Sequence, residues 1–105
     1  MAFNRRQVIL RDFFTCQTCR CAVPLYRIQI AHKIHQGVES ENYIKGWLLK
    51  EKGEEWSITR IRESIINNEM NVCVTCSSRC NDAQNILFNP VECDKLLEKI
   101  YSTCH

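Results

Sequence analysis

The sequence predicts a small α+β domain, one unit over residues 1–105, closed by a four-cysteine zinc site. Three observations carry that expectation. Two cysteine pairs at metal-ligand spacing lie more than fifty residues apart, one segment alternates apolar and polar residues, and several stripes recur at helical spacing. At 105 residues the chain suits a single modest core.

Asn4 can cap a helix running to about Phe14, with Val8, Ile9 and Phe13 on its apolar side and Arg5, Arg6 and Arg11 toward solvent. A cysteine turn follows at Cys16 and Cys19. After Pro24, Tyr26, Ile28 and Ile30 alternate with Arg27 and Gln29, the pattern of a half-buried strand reaching His32. The segment 41–52 places Ile44, Leu48 and Leu49 on one helical face, and Gly53 can end it. Ser57 can cap a second helix carrying Ile58, Ile61, Ile65 and Ile66, which Asn67 and Asn68 close. Residues 71–75 read as a short strand, followed by a helix over 78–87. The helix over 89–104 has Asn89 as cap, Pro90 at its first position, Glu92 three after the cap, and a stripe of Leu96, Leu97, Ile100 and Tyr101. Trp47 and Trp56 are expected to pack in the core.

Charge is unevenly spread. Residues 1–35 hold six basic side chains against one acid, whereas 36–70 and 71–105 are slightly acidic. An anionic polymer such as DNA would therefore meet the N-terminal third, where Arg5, Arg6, Arg11, Arg20, Arg27 and Lys33 can face phosphate. No apolar run is long enough to span a bilayer, and no apolar stretch follows the first residues. A cytoplasmic, reducing setting is expected, and eight cysteines there point to metal rather than disulfides. Cys16 and Cys19 form one pair, and the other is drawn from Cys73, Cys76 and Cys80; two such turns converging on one ion make a tetrahedral zinc site. Cys93 and Cys104 read as buried thiols of the last helix.

Between the pairs stand His32 at a strand end, Asn71 at the next extended segment, and Asn81 directly after Cys80. This ordered set resembles the HNH endonucleases, whose core is a ββα-metal fold. The resemblance runs through Cys16-Gln-Thr-Cys19, Ala31-His32, Asn71 with Cys76, and Cys80-Asn81, over residues 8–86. It implies a zinc site of Cys16, Cys19, Cys76 and Cys80, with Cys73/Cys76 as the alternative second pair because the usual spacing is two residues rather than three. It further implies a metal-dependent DNA endonuclease in which His32 is the general base, Asn71 orients it or braces the loop, and Asn81 helps hold a magnesium or manganese ion. Ala31 stands where many members have a metal-binding Asp; Gln29, His35 and Asp82 are candidate replacements. Residues 36–70 are an insertion, a lid or a partner surface by this reading. So short a nuclease is expected either to act as a homodimer or to cut with relaxed specificity. A non-catalytic zinc-bound module that binds nucleic acid or protein is the competing expectation.

Overall fold

The computed structural model describes residues 3–87 and 89–103. Helix α1 (Arg5–Arg11) starts at Asn4, whose side chain accepts from the Gln7 amide. It stops three residues earlier than the apolar pattern suggests, because Phe13 and Phe14 both adopt left-handed backbone (φ 54° and 53°). Phe13 consequently points outward, 82 % exposed, rather than joining the apolar side of the helix. What fixes this exit is polar. The Arg11 guanidinium binds Asp12 Oδ1 (2.9 Å), the Glu69 carbonyl (2.8 Å) and the Val72 carbonyl (2.6 Å). Asp12 Oδ2 in turn accepts from the Val74 amide at 2.9 Å. Two adjacent residues thereby fasten the end of α1 to the second strand.

The chain then folds back on itself as a miniature hairpin, with Thr15 bridged to Ala22 and the Cys16 amide donating to the Cys21 carbonyl (2.9 Å). A tight 3₁₀ turn over Leu25–Arg27 occupies the start of the expected strand and leaves Tyr26 87 % exposed. Strand β1 is therefore short (Gln29–His32), and Ala31, not Ile30, is its fully buried residue. It pairs antiparallel with β2 (Val72–Thr75), in register Gln29 to Thr75, Ile30 to Val74, Ala31 to Cys73 and His32 to Val72.

The insertion between the strands is helical, as expected, yet it packs as core rather than as a lid. Helix α2 (Val38–Trp47) runs into a wider turn over Leu48–Lys52 and ends at Gly53, whose φ of 65° is the left-handed conformation that glycine tolerates. The wider turn changes the angular advance per residue, so Leu48 is buried while Leu49 faces solvent. Ser57 caps α3 (Ile58–Ile61) by accepting from the Arg60 amide, and this helix also widens over Arg62–Ile66. Helix α4 (Ser78–Ala83) is shorter than expected, and α5 (Pro90–Thr103) begins where Asn89 Oδ1 accepts from the Glu92 amide.

Two hydrophobic clusters result instead of one. Ile44, Trp47, Leu48, Trp56, Ile61, Ile65 and Ile66 of the insertion close on Cys93, Leu97 and Ile100 of α5. Val8, Ile9, Val23, Ile28, Val72 and Val74 form the other beside Cys16. Both tryptophans pack as expected, with Tyr101 set edge-on to Trp47 at 6.2 Å. The buried Glu41 carboxylate pairs with the Arg62 guanidinium and links α2 to α3.

Truncating a fully buried side chain of the helical cluster should be expensive. Leu97→Ala should lower stability by about 2–5 kcal/mol, whereas Leu49→Ala, exposed in the widened turn, should stay within about 0.5 kcal/mol. Urea unfolding of the two variants checks this.

Candidate metal centre and histidine cleft

Four thiols meet at one end of the sheet. The Sγ atoms of Cys16, Cys19, Cys76 and Cys80 all lie within 4.8 Å of one another. Cys19 to Cys76 and Cys76 to Cys80 are each 3.6 Å. Four sulfurs each about 2.3 Å from a tetrahedral zinc would stand roughly 3.8 Å apart, so the donor set fits such an ion. The cluster can hold a metal such as zinc.

The wider spacing of the second pair has a structural cause. Cys76 follows β2 directly, Ser77 caps α4 by accepting from the Cys80 amide (3.2 Å), and Cys80 lies in the first turn of that helix. A strand end followed by one helical turn needs the extra residue to bring both sulfurs to one side. Cys73 is buried within β2, outside the cluster, and burial pushes its thiol up to about 11. That excludes Cys73/Cys76 as the pair in this arrangement. Cys93 is likewise a buried thiol, pushed up to about 11 by burial; Cys104 lies outside the described residues.

The hairpin that carries Cys16 and Cys19 is pinned to the other two ligands. Gln17 donates its amide to the Val74 carbonyl (2.9 Å), and Thr18 Oγ1 donates to the Cys80 carbonyl (2.8 Å). Burial opposes ionisation of Cys16, but the amides of Cys19 and Thr18 point at its sulfur and outweigh it, lowering the thiol from near 9 to about 6. The stability that this thiolate–amide pairing adds to the fold is therefore complete above pH 9, shrinks as pH falls, and is lost below about 6. Cys21 is the thiol the sequence reasoning passed over. It stands 3.0 Å from Cys19 Sγ, a contact legible only as the spacing of two between them.

A second site lies at the other end of β1. His32, His35, Asn81, Asp82 and Asn85 line a cleft of about 350 Å3 between the strand exit and α4. The fold thus brings His32 and Asn81 together. Asn71 is not in the cleft. Fully buried behind it, its side chain accepts from the Ile34 amide (2.8 Å) and donates to the Ile34 and Ile66 carbonyls (2.9 and 2.8 Å). These bonds tie Asn71 to the backbone on either side of the insertion, and His32 is not among these side-chain partners. Asn67 hydrogen-bonds His32, its Oδ1 lying 2.9 Å from His32 Nε2 and also accepting from Gln36 Nε2, and the Phe3 ring stands edge-on to the imidazole at 5.9 Å. With Nε2–H donating, a neutral His32 ring keeps its free lone pair on Nδ1. Asn67 read as a helix-closing residue, and no local signal connects it to a histidine 35 positions earlier.

Comparison with family models, with curated proteins and with solved structures finds no match to this chain. The chemistry must be read from the cleft itself. Two imidazoles, one carboxylate and two amides line it, whereas the described side chains that converge closely enough to hold a metal are the four thiols. His35 lines the cleft, and its buried Nδ1 has no hydrogen-bond partner among the described residues. Gln29 sits at the far end of β1, opposite Thr75, and cannot reach this cleft. Among the described residues no helix is long and apolar enough to cross a membrane.

The expected basic face is only partly available. Arg11 bonds Asp12 and two carbonyls, as described above, while its side chain stays 40 % exposed. Arg5 reaches the Ile28 carbonyl (3.3 Å) and Arg20 the Gln17 side chain (2.9 Å). Lys33 lines a different groove, with Lys95 and Lys99. Arg6 and Arg27 are exposed.

Purified protein should carry about one zinc per chain. Cys76→Ser should lose the metal and unfold the knuckle, while Cys73→Ser should keep it; metal analysis with circular dichroism distinguishes these outcomes. Acidification should release the ion, since protons compete for the same sulfurs.

Proposed function

We propose that the chain is a metal-dependent endonuclease of the HNH type that hydrolyses DNA phosphodiester bonds with His32 as the general base. The observation that carries this reading is the shared cleft: a strand-end histidine faces Asn81 on the helix that follows the second strand, with a buried Asn71 bracing the loop beside them. Zinc would serve as the structural staple and magnesium or manganese as the ion of the cleft.

The residues can divide the work as follows. Asn67 holds His32 through Nε2, which leaves Nδ1 to take a proton from water. Asn81, Asp82 and Asn85 offer oxygen donors on the opposite wall, and a magnesium-type ion bound there would neutralise charge developing on phosphate. Asp82 supplies the carboxylate that position 31 lacks. Exposed arginines such as Arg6 and Arg27 would hold the phosphate backbone, a contact that positions without reading sequence.

One observation favours a second reading, a non-catalytic zinc-bound module that binds nucleic acid or protein. Residue 31 is an alanine, fully buried in the sheet, so no carboxylate immediately precedes His32.

A supercoiled-plasmid nicking assay decides between them. Nicking should require magnesium or manganese and cease with chelator, and His32→Ala should slow it by about 10²–10⁴-fold without changing zinc content. Asn67→Ala should cause a smaller loss. A chain that never nicks with either ion, or a His32→Ala variant as fast as its parent, leaves the binding module.

DNA affinity measured by anisotropy should fall as salt rises. Reversing Arg6 and Arg27 together to Glu should weaken it more than reversing Lys95 and Lys99. Equal losses would assign the N-terminal face to solvent.

A further inference from the structure

The metal centre holds one thiol more than a tetrahedral ion requires. Cys21 projects from the same hairpin as Cys16 and Cys19, is exposed, and places its sulfur 3.0 Å from that of Cys19, which is also exposed. Cys19 in turn lies 3.6 Å from Cys76, so the extra thiol abuts a ligand rather than standing apart from the cluster. Among the described residues, the hydrogen-bond contact of the Cys21 side chain is this one to the Cys19 sulfur. The neighbouring hairpin contacts are made by backbone, with the Cys21 carbonyl accepting from Cys16 and the two flanking residues bridged.

We propose that Cys21 is an oxidation site that disarms the metal centre by forming a disulfide with Cys19; this rests on the cluster holding zinc. Cys21 stands outside the four-ligand set and is exposed, so its sulfur is open to an oxidant while the four ligand sulfurs would be engaged with zinc. A peroxide is the oxidant. The Cys21 sulfur attacks one peroxide oxygen, the O–O bond breaks, and Cys21 becomes a sulfenic acid as water leaves. Cys19 sulfur then attacks Cys21 sulfur, expelling the hydroxyl as a second water once protonated. Two thiols and one hydrogen peroxide give one disulfide and two waters; the sulfur pair loses two electrons and the peroxide gains them. The sulfurs need only close from 3.0 Å to about 2.05 Å. Zinc is left with Cys16, Cys76 and Cys80, an open three-thiolate site, and departs to any competing chelator. A thiol reductant such as glutathione reverses the bond and restores the fourth ligand.

The consequence is mechanical. Cys19 is one of the two ligands that join the N-terminal hairpin to β2 and α4, and α4 also forms a wall of the histidine cleft. Losing that tie loosens the wall on which Asn81 and Asp82 stand.

The test uses the whole chain. Zinc content is measured first; the protein is then treated with hydrogen peroxide beside a chromophoric zinc chelator, and disulfides are mapped by peptide mass. Zinc should be released as a Cys19–Cys21 bond forms, and dithiothreitol with added zinc should restore the original metal content. Cys21→Ser and Cys21→Ala should bind zinc as the parent does and lose the peroxide-driven release. Release from these variants as fast as from the parent overturns the proposal, as does mapping of the bond to Cys76 and Cys80. If the untreated chain holds no zinc, the metal reading fails separately. In that case the disarming of a metal centre is overturned, and the disulfide map decides only the oxidation site, with Cys19–Cys21 as the main product sustaining it and any other pairing refuting it.

Discussion

One buried amide holds the two halves of the molecule in register. Asn71 joins the Ile34 amide and carbonyl, just past β1, to the Ile66 carbonyl at the end of the insertion, immediately before β2 begins. All three of these bonds lie inside the protein, where an unsatisfied partner would cost about 1–3 kcal/mol each. An aliphatic residue of similar size would orphan all three backbone groups at once. Because the insertion separates β1 from β2, nothing local sets how the strands meet. The Lys33 amide donating to the Asn71 carbonyl (2.8 Å) extends the ladder by one more bond, and Asn71 then turns the chain away from it.

From that junction the two clusters follow. On one side the sheet, α1 and the cysteine hairpin enclose a small core that is short of apolar material and relies on polar ties: Arg11 with Asp12, and the four thiols. On the other side the insertion and α5 build a larger, aliphatic core that needs no metal. A core of so few apolar side chains gains from a staple, and the thiol cluster sits on the half that lacks bulk. The same junction sets the cleft. His32 ends β1, Asn67 precedes the brace by four residues, and α4 returns alongside, where the Ile86 amide donates to the Lys33 carbonyl at 2.8 Å.

The strained exit of α1 belongs to this economy. Two successive phenylalanines in left-handed backbone cost on the order of 1–3 kcal/mol each. The Arg11 and Asp12 bonds to β2 offset that cost. The exit turns Leu10 and Phe14 toward a groove shared with Arg5, Arg6 and Leu25, so the basic face is in part greasy.

By itself the sequence determined the class, the helical stripes and most of the caps, since these depend on residues within one or two turns. Asn4, Ser57, Gly53 and Asn89 act where local chemistry says they should, and Cys16 with Cys19 announces a turn of two converging thiols. The spacing of Cys76 and Cys80 was legible only once a strand end and a helix cap fell between them. Tertiary structure decided the rest. Tyr26 left the strand because Pro24 leads into a tight turn, and Leu49 left the core because the helix widened. Arg11 was fastened, still exposed, to carbonyls some sixty residues away. Asn67 met His32, and Cys21 met Cys19, through the path of the whole chain. Residue spacing encodes what a helix or turn can bring together; contacts across an insertion depend on how two cores close, and no local pattern carries that information.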